Sequence, residues 1–245
     1  MNLTLLGSGA AAHQGFVESA TQYHELGAEA ITPDGRHFRY VQAGASALVR
    51  GDVQQAPAAD VDHDDIACRA TAIGATELLI TTGASGGALD ANEYAGGYAI
   101  IDTTPGLGQI CRILNHAAIA ASTNGSLFVA PEDALLVALT TSSKITLIKN
   151  PYDGVIQNPA STMTGAGVGV AIYAITAAYY GWIQTKGVAP VLVGGTPAVG
   201  SAVVIPGDTA GEVVVDGAAS ATQVVGANMI VGRDGKVSPV LINFP

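Results

Sequence analysis

Short β-branched runs, each closed by a turn signal, recur along this chain at a spacing of roughly 8–12 residues. ELLITT (77–82), YAIIDTT (98–104), QICRIL (109–114), SKITLI (143–148), PVLV (190–193) and KVSPVLINF (236–244) are the clearest. Between them stand Pro33-Asp34-Gly35, Asn150-Pro151, Asp153-Gly154 and Asp234-Gly235. Proline fixes one backbone angle and glycine accepts positive φ, so these are turns with a mechanism. Runs this short cannot carry a helical stripe. The pattern predicts an all-β sandwich or barrel of short antiparallel strands.

Composition agrees. Glycine is abundant at 31 of 245 residues, and aromatic residues make up only 5%. Charged residues are 12%, half of the usual share of about a quarter. Leu, Glu, Lys and Arg, which long helices favour, are thin. So apolar a chain with so few charges hides surface against something, and subunit interfaces are one way to do it. The net charge of -10 repels phosphate backbones and argues against nucleic acid as a partner. No run reaches about 18 apolar residues, so no membrane span is expected, and the N-terminus carries no signal-peptide pattern.

Three segments are expected: an extended N-terminal arm over 1–30, a β domain over 31–160, and a β continuation or second β subdomain over 161–245. The boundary near 160 rests on the Gly, Ser, Thr and Pro cluster in QNPASTMTGAGVG. The arm is expected to order on docking, crossing to a neighbour. In the strand after Asp34-Gly35, period two puts His37, Arg39 and Val41 on one face and Phe38 and Tyr40 on the other, toward the core. In QICRIL the same period separates Ile110, Arg112 and Leu114 from Cys111 and Ile113.

Candidate chemistry is sparse. Gly7, Gly9 and Ala12 match the dinucleotide fingerprint G-x-G-x-x-A, but no β-α-β alternation follows, so no cofactor is assigned. Asp60, Asp62, Asp64 and Asp65 surround His63 in a D-x-D-x-D stretch that suits a hard cation. Yet Asp65 stands where a calcium loop needs glycine and Thr71 where it needs a bidentate Glu, so the stretch is read as a solvated acidic loop, with an ad hoc metal site as the alternative. His13, His24, His37, His63 and His116 make no zinc motif. Ser8 and Ser85 lack a nucleophile elbow, and Glu132-Asp133 sit in a turn. No catalytic residue is assigned. Cys68 and Cys111 are expected as buried free thiols, with a disulfide as the alternative. Arg50-Gly51-Asp52 is read as a turn. Tyr179, Tyr180 and Trp182 form the densest aromatic cluster; core packing is the default and an interface anchor the sharper option.

Five stretches carry a resemblance: LGAEAITPDGRHFRYVQAGASALVRGD, GYAIIDTTPGLGQICRILNH, EDALLVALTTSSKITLIKNPYDGVIQ, YYGWIQTKGVAPVLVGGTPAVGSAVV and VVGANMIVGRDGKVSPVLINF. In that order they resemble head structural proteins of tailed bacteriophages and marine viruses, a group that decorates or cements the capsid. The similarity runs from about residue 23 to the end. It implies a virion component on the capsid surface, made in the host cytoplasm, without catalytic residues or cofactor. The implied partners are the major capsid protein and further copies of the chain, as trimers or dimers, with the homotrimer favoured. Arg36, His37, Arg39, Tyr179, Tyr180 and Trp182 are then the candidate interface residues. Alternatives are a tail or tail-fibre adaptor, a β-scaffold hydrolase acting on polysaccharide, and an adhesin displaying Arg50-Gly51-Asp52.

Overall fold

Period-two alternation becomes seventeen strands in a computed structural model that describes residues 3–6, 16–84, 87–217 and 223–244. In chain order they are β1 (Thr4–Leu5), β2 (Glu29–Ile31), β3 (His37–Ala43), β4 (Val53–Gln55), β5 (Ile66–Cys68) and β6 (Glu77–Thr81). Next come β7 (Tyr98–Ile101), β8 (Ile110–Asn115), β9 (Asn124–Val129), β10 (Lys144–Ile148), β11 (Asp153–Gln157) and β12 (Gly167–Val170). The last are β13 (Tyr180–Val193), β14 (Ala202–Ile205), β15 (Val214–Val215), β16 (Gln223–Asn228) and β17 (Lys236–Asn243). The only helical pieces among the described residues are two 3-10 turns, Val61–His63 and Pro131–Asp133. No described helix is long and apolar enough to cross a membrane. The chain is all-β, as the turn rhythm predicts.

Two units form, and their boundaries differ from those read in the sequence. One unit joins 1–58 to 151–245; the other is the intervening segment 59–150. The cluster near residue 160 is no boundary. It is the loop between β11 and β12, two strands that both pair with β4. Composition reveals a loop there; it does not reveal which strands the loop's ends will find.

The 59–150 unit is a closed six-stranded barrel in the order β10-β5-β6-β9-β8-β7, antiparallel throughout. Every strand contributes an inward pair at i and i+2. These are Ile66 and Cys68, Leu78 and Ile80, Ala99 and Ile101, Cys111 and Ile113, Leu127 and Val129, and Ile145 and Leu147, all at most 4% exposed. Fully burying an aliphatic side chain contributes about 1.5–3 kcal/mol, so this layered interior drives the closure. Ile110 and Leu114 face outward as read, at 54% and 44% exposed.

Cys68 and Cys111 are free and buried on strands that are not neighbours in the barrel. Burial pushes their thiols up to about 12 and about 11. Because the thiolate is the reactive form, both should resist an aromatic disulfide reagent at pH 8 in the native protein and react fully in denaturant. Fast stoichiometric labelling without denaturant would contradict this interior.

In the other unit eleven strands run in the order β1-β2-β3-β11-β4-β12-β13-β17-β16-β14-β15. A further pairing of β3 with β13 closes β3, β11, β4, β12 and β13 into a ring. The 14-residue β13, of which the sequence reading picked out only the PVLV end, serves two sheets. Its first half pairs with β3 and its second with β17. The register shifts between Gln184 and Lys186, and Gly187 takes φ +95°, where a side chain would strike Arg36. A bulge and a left-handed glycine turn the strand from one partner to the other.

The described residues among the first thirty do not form a free arm. Leu3 is 1% exposed and joins Ala30, Phe38, Tyr40 and Trp182 in a buried cluster, against which Leu5, Phe16 and Leu26 pack. β1 pairs with β2, Ser19 bridges antiparallel to Tyr180, and Glu18 accepts a hydrogen bond from the Thr176 hydroxyl at 3.0 Å. The described parts of the segment are edge strand and core. Their order comes from this chain's own sheet.

Candidate functional site

β3 alternates as predicted. Phe38 and Tyr40 are fully buried, while His37 and Arg39 are half-exposed on the opposite face. Val41, on that same face, is fully buried because both faces of β3 are covered where it enters the ring. The basic residues are already engaged. His37 Nδ1 lies 2.7 Å from Glu29 Oε1, and Arg39 pairs with the other oxygen of Glu29 at 3.6 Å. Arg39 also donates to the Gly27 carbonyl at 2.9 Å and lies over the Tyr152 ring. Arg36 pairs with Asp34 at 2.9 Å and covers Phe38. These three side chains latch β2 and the Asp34 turn onto β3.

The aromatic cluster splits. Trp182 is fully buried, so it is core and not a surface anchor. Its indole lies 5.1 Å from the Tyr40 ring and 5.4 Å from His24. Both faces of β13 are buried here, and Trp182 lies on the face it shares with its cross-strand partner Tyr40. Tyr180 stacks on Tyr40 at 6.1 Å with its ring half-buried. Tyr179 alone is exposed, at 36%.

A different surface emerges on the second half of β13. Val188 lies opposite Leu241, Pro190 opposite Pro239, and Leu192 opposite Val237. Cross-strand partners share a face, and the intervening Ala189, Val191, Val240 and Ile242 are buried, so this set points outward. Val188, Val237 and Leu241 are 44%, 53% and 51% exposed. Ala227 on β16 and Ala202 on β14 extend the Val188–Leu241 row. No charged side chain interrupts these rows. The two mid-strand prolines cost the ladder nothing because they face each other at a non-hydrogen-bonded position. The Leu192 amide two residues on correspondingly turns away from β17 to the Gly51 carbonyl, 2.7 Å away. Sequence reading missed this surface, though a signal was there. VAPVLV and KVSPVLIN are apolar at both odd and even positions, the mark of a strand that expects contact on both faces.

Arg50-Gly51-Asp52 is not a loop tip. Gly51 is buried at φ +86°, and Asp52 is 5% exposed beneath Gly211, whose φ of +77° and contact with the Asp52 side chain leave no space for a larger residue. The adhesin reading therefore falls. Burial raises the Asp52 carboxyl from 3.8 to about 6, against a hydrogen bond donated by Gln157 Nε2 at 2.6 Å. A carboxyl with a raised folded pKa holds its proton more tightly when folded, so its deprotonation weakens the fold. Relative to Asp52→Asn, the wild-type chain should lose about 2 kcal/mol as pH rises from 4 to 6, after allowance for solvent screening, and stay level above. Denaturant titrations of both proteins across that range check it; parallel curves would refute it.

A cavity of about 470 Å³ is lined by Asp208, Glu212, Asp234, Thr196 and Thr209. Glu212, 5% exposed, accepts the Thr209 amide at 3.0 Å, and Asp234 accepts the Gly195 amide at 2.8 Å. Glu212 thus closes a local turn, and Asp234 ties the loop after β13 to the turn before β17. In the barrel unit, Asp133 likewise accepts the Arg112 amide at 2.8 Å, and Leu107, Ile110 and Leu136 expose apolar surface at 65%, 54% and 77%. Gly7, Gly9, Ala12, Ser8, His13 and Ser85 lie outside the described residues. No protein-family model, no curated protein and no solved structure matches this chain.

Proposed function

We propose that this chain is a virion structural protein that decorates a capsid and cements it by bridging major capsid protein subunits, acting as a homo-oligomer. The observation that carries this reading is the outward apolar face of β13 and β17, centred on Val188, Pro190, Val237, Pro239 and Leu241. Contiguous apolar surface on a sheet marks a contact with another protein, and two facing prolines make that surface stiff. Rigid area of this kind suits many weak, repeated contacts whose energies add over a shell. The resemblance of five stretches to phage head proteins supplies the partner. Arg36, His37 and Arg39 already hold β2 and the Asp34 turn, so the contact is assigned to the β13–β17 face instead.

The test is occupancy on particles. Purified chain added to capsids that lack it should saturate at a copy number fixed by the shell's symmetry, and should raise the temperature at which the shell opens. Absence of saturable binding, or binding confined to the tail vertex, would overturn the reading; the latter outcome would give the tail-adaptor alternative.

A further inference from the structure

The acidic loop 60–65 divides in two. Asp64 accepts a hydrogen bond from Thr146, and Asp65 pairs with Lys144 at 3.4 Å, so both are tied to β10. Asp60 and His63 turn the other way. Asp60 caps the 3-10 turn Val61–His63 through the Asp62 amide at 3.0 Å, and the turn drives His63 to 1% exposure. There the imidazole meets Glu93. One ligand atom from each of Asp60, His63 and Glu93 lies within 4.8 Å of the others.

His63 is half-satisfied. Its Nδ1 is 2.5 Å from the Tyr94 hydroxyl and 3.5 Å from Asp60 Oδ2, while its Nε2 is buried without a hydrogen-bond partner. A buried ring nitrogen with no partner is a cost that a bound ligand can relieve. The Nδ1 nearest Asp60 is held by the Tyr94 hydroxyl, so an ion shared with Asp60 would displace that hydroxyl or reach the ring through Nε2. Glu93 is likewise fixed: its Oε2 accepts the Asp90 amide at 3.0 Å and its Oε1 binds Lys149 Nζ at 2.8 Å. Lys149 lies over the Tyr94 ring, 5.6 Å from its centroid. A cation already sits at this place.

We infer that Asp60, His63 and Glu93 form a site for a divalent transition cation, one that competes with the Lys149 ammonium for Glu93. Imidazole together with two carboxylates suits zinc-like ions over calcium or magnesium, which want oxygen alone. Bound there, the ion would staple the loop that opens the barrel unit to the turn before β7.

Zinc chloride is titrated calorimetrically into the chelator-treated full chain at pH 7, beside Asp60→Asn, Glu93→Gln and Lys149→Gln. The first two keep the oxygens that accept the Asp62 and Asp90 amides, and buried His63 is left intact, so folding, checked by circular dichroism, should hold. Saturation at one zinc per chain is expected, weakened about 10-fold or more in Asp60→Asn and in Glu93→Gln and tightened in Lys149→Gln. Absence of saturable heat up to about 1 mM zinc, or affinity unchanged in the first two variants, would overturn the site.

Discussion

Trp182→Ala should cost about 3–5 kcal/mol of stability, enough to leave this chain unfolded or close to it at 37 °C. The indole is fully buried and takes part in the largest aromatic assembly of its unit, with Tyr40, His24 and Phe38 close by. Removing it opens a cavity whose walls are held from several directions. The Tyr40 hydroxyl accepts the Tyr23 amide at 3.1 Å, Tyr180 stacks on its ring, and the Trp182 amide itself donates to the Tyr173 hydroxyl at 2.7 Å. Walls so fixed collapse little, which places the cost at the upper end for a large-to-small change. Exposed Tyr179, three residues away, is the control: Tyr179→Ala should cost less than about 1 kcal/mol. Urea unfolding followed by circular dichroism measures both. Similar losses in the two variants would mean that Trp182 is not the anchor of this core.

The same cluster changes what truncation should do. Leu3, Leu5 and Phe16 pack against it, so deleting residues 1–20 strips core and edge strand together. Such a deletion should therefore destabilise the fold, whereas an arm ordered only by a neighbour would leave it intact.

How far the sequence carried the reading depends on whether a feature is local. Alternation within a strand is local, so the inward pair Cys111 and Ile113, the outward Ile110 and Leu114, and the buried Phe38 and Tyr40 were all legible. Pairing between distant strands is not. Nothing in residues 53–55 announces that β4 will lie between β11 and β12, about a hundred positions on, nor that the barrel interrupts the other unit. Candidate sites followed the same division. A basic face reads as available until Glu29, from another strand, is found across it. Asp60 and His63 could be seen together; Glu93, thirty residues further on, could not be added to them.

The decisive surface test uses Val188→Lys with Leu241→Asp. These residues are directly opposed on neighbouring strands, so the new charges pair with each other across the exposed face. The chain's net charge stays at -10, so any loss of binding in the proposed capsid role is not a change in long-range attraction. In the free protein the pair is solvated, and stability should shift by less than about 1 kcal/mol. Against an apolar partner both charges must be desolvated, and attraction between them does not recover that cost. Particle binding should therefore weaken about 100-fold or more, a loss of roughly 3 kcal/mol per contact that multivalency amplifies. The matching change on β3, Arg39→Gln, should leave occupancy within about threefold, because Arg39 serves Glu29 and the Gly27 carbonyl. Full occupancy by the double variant would remove the β13–β17 face from the contact. Loss with Arg39→Gln alone would move that contact to β3.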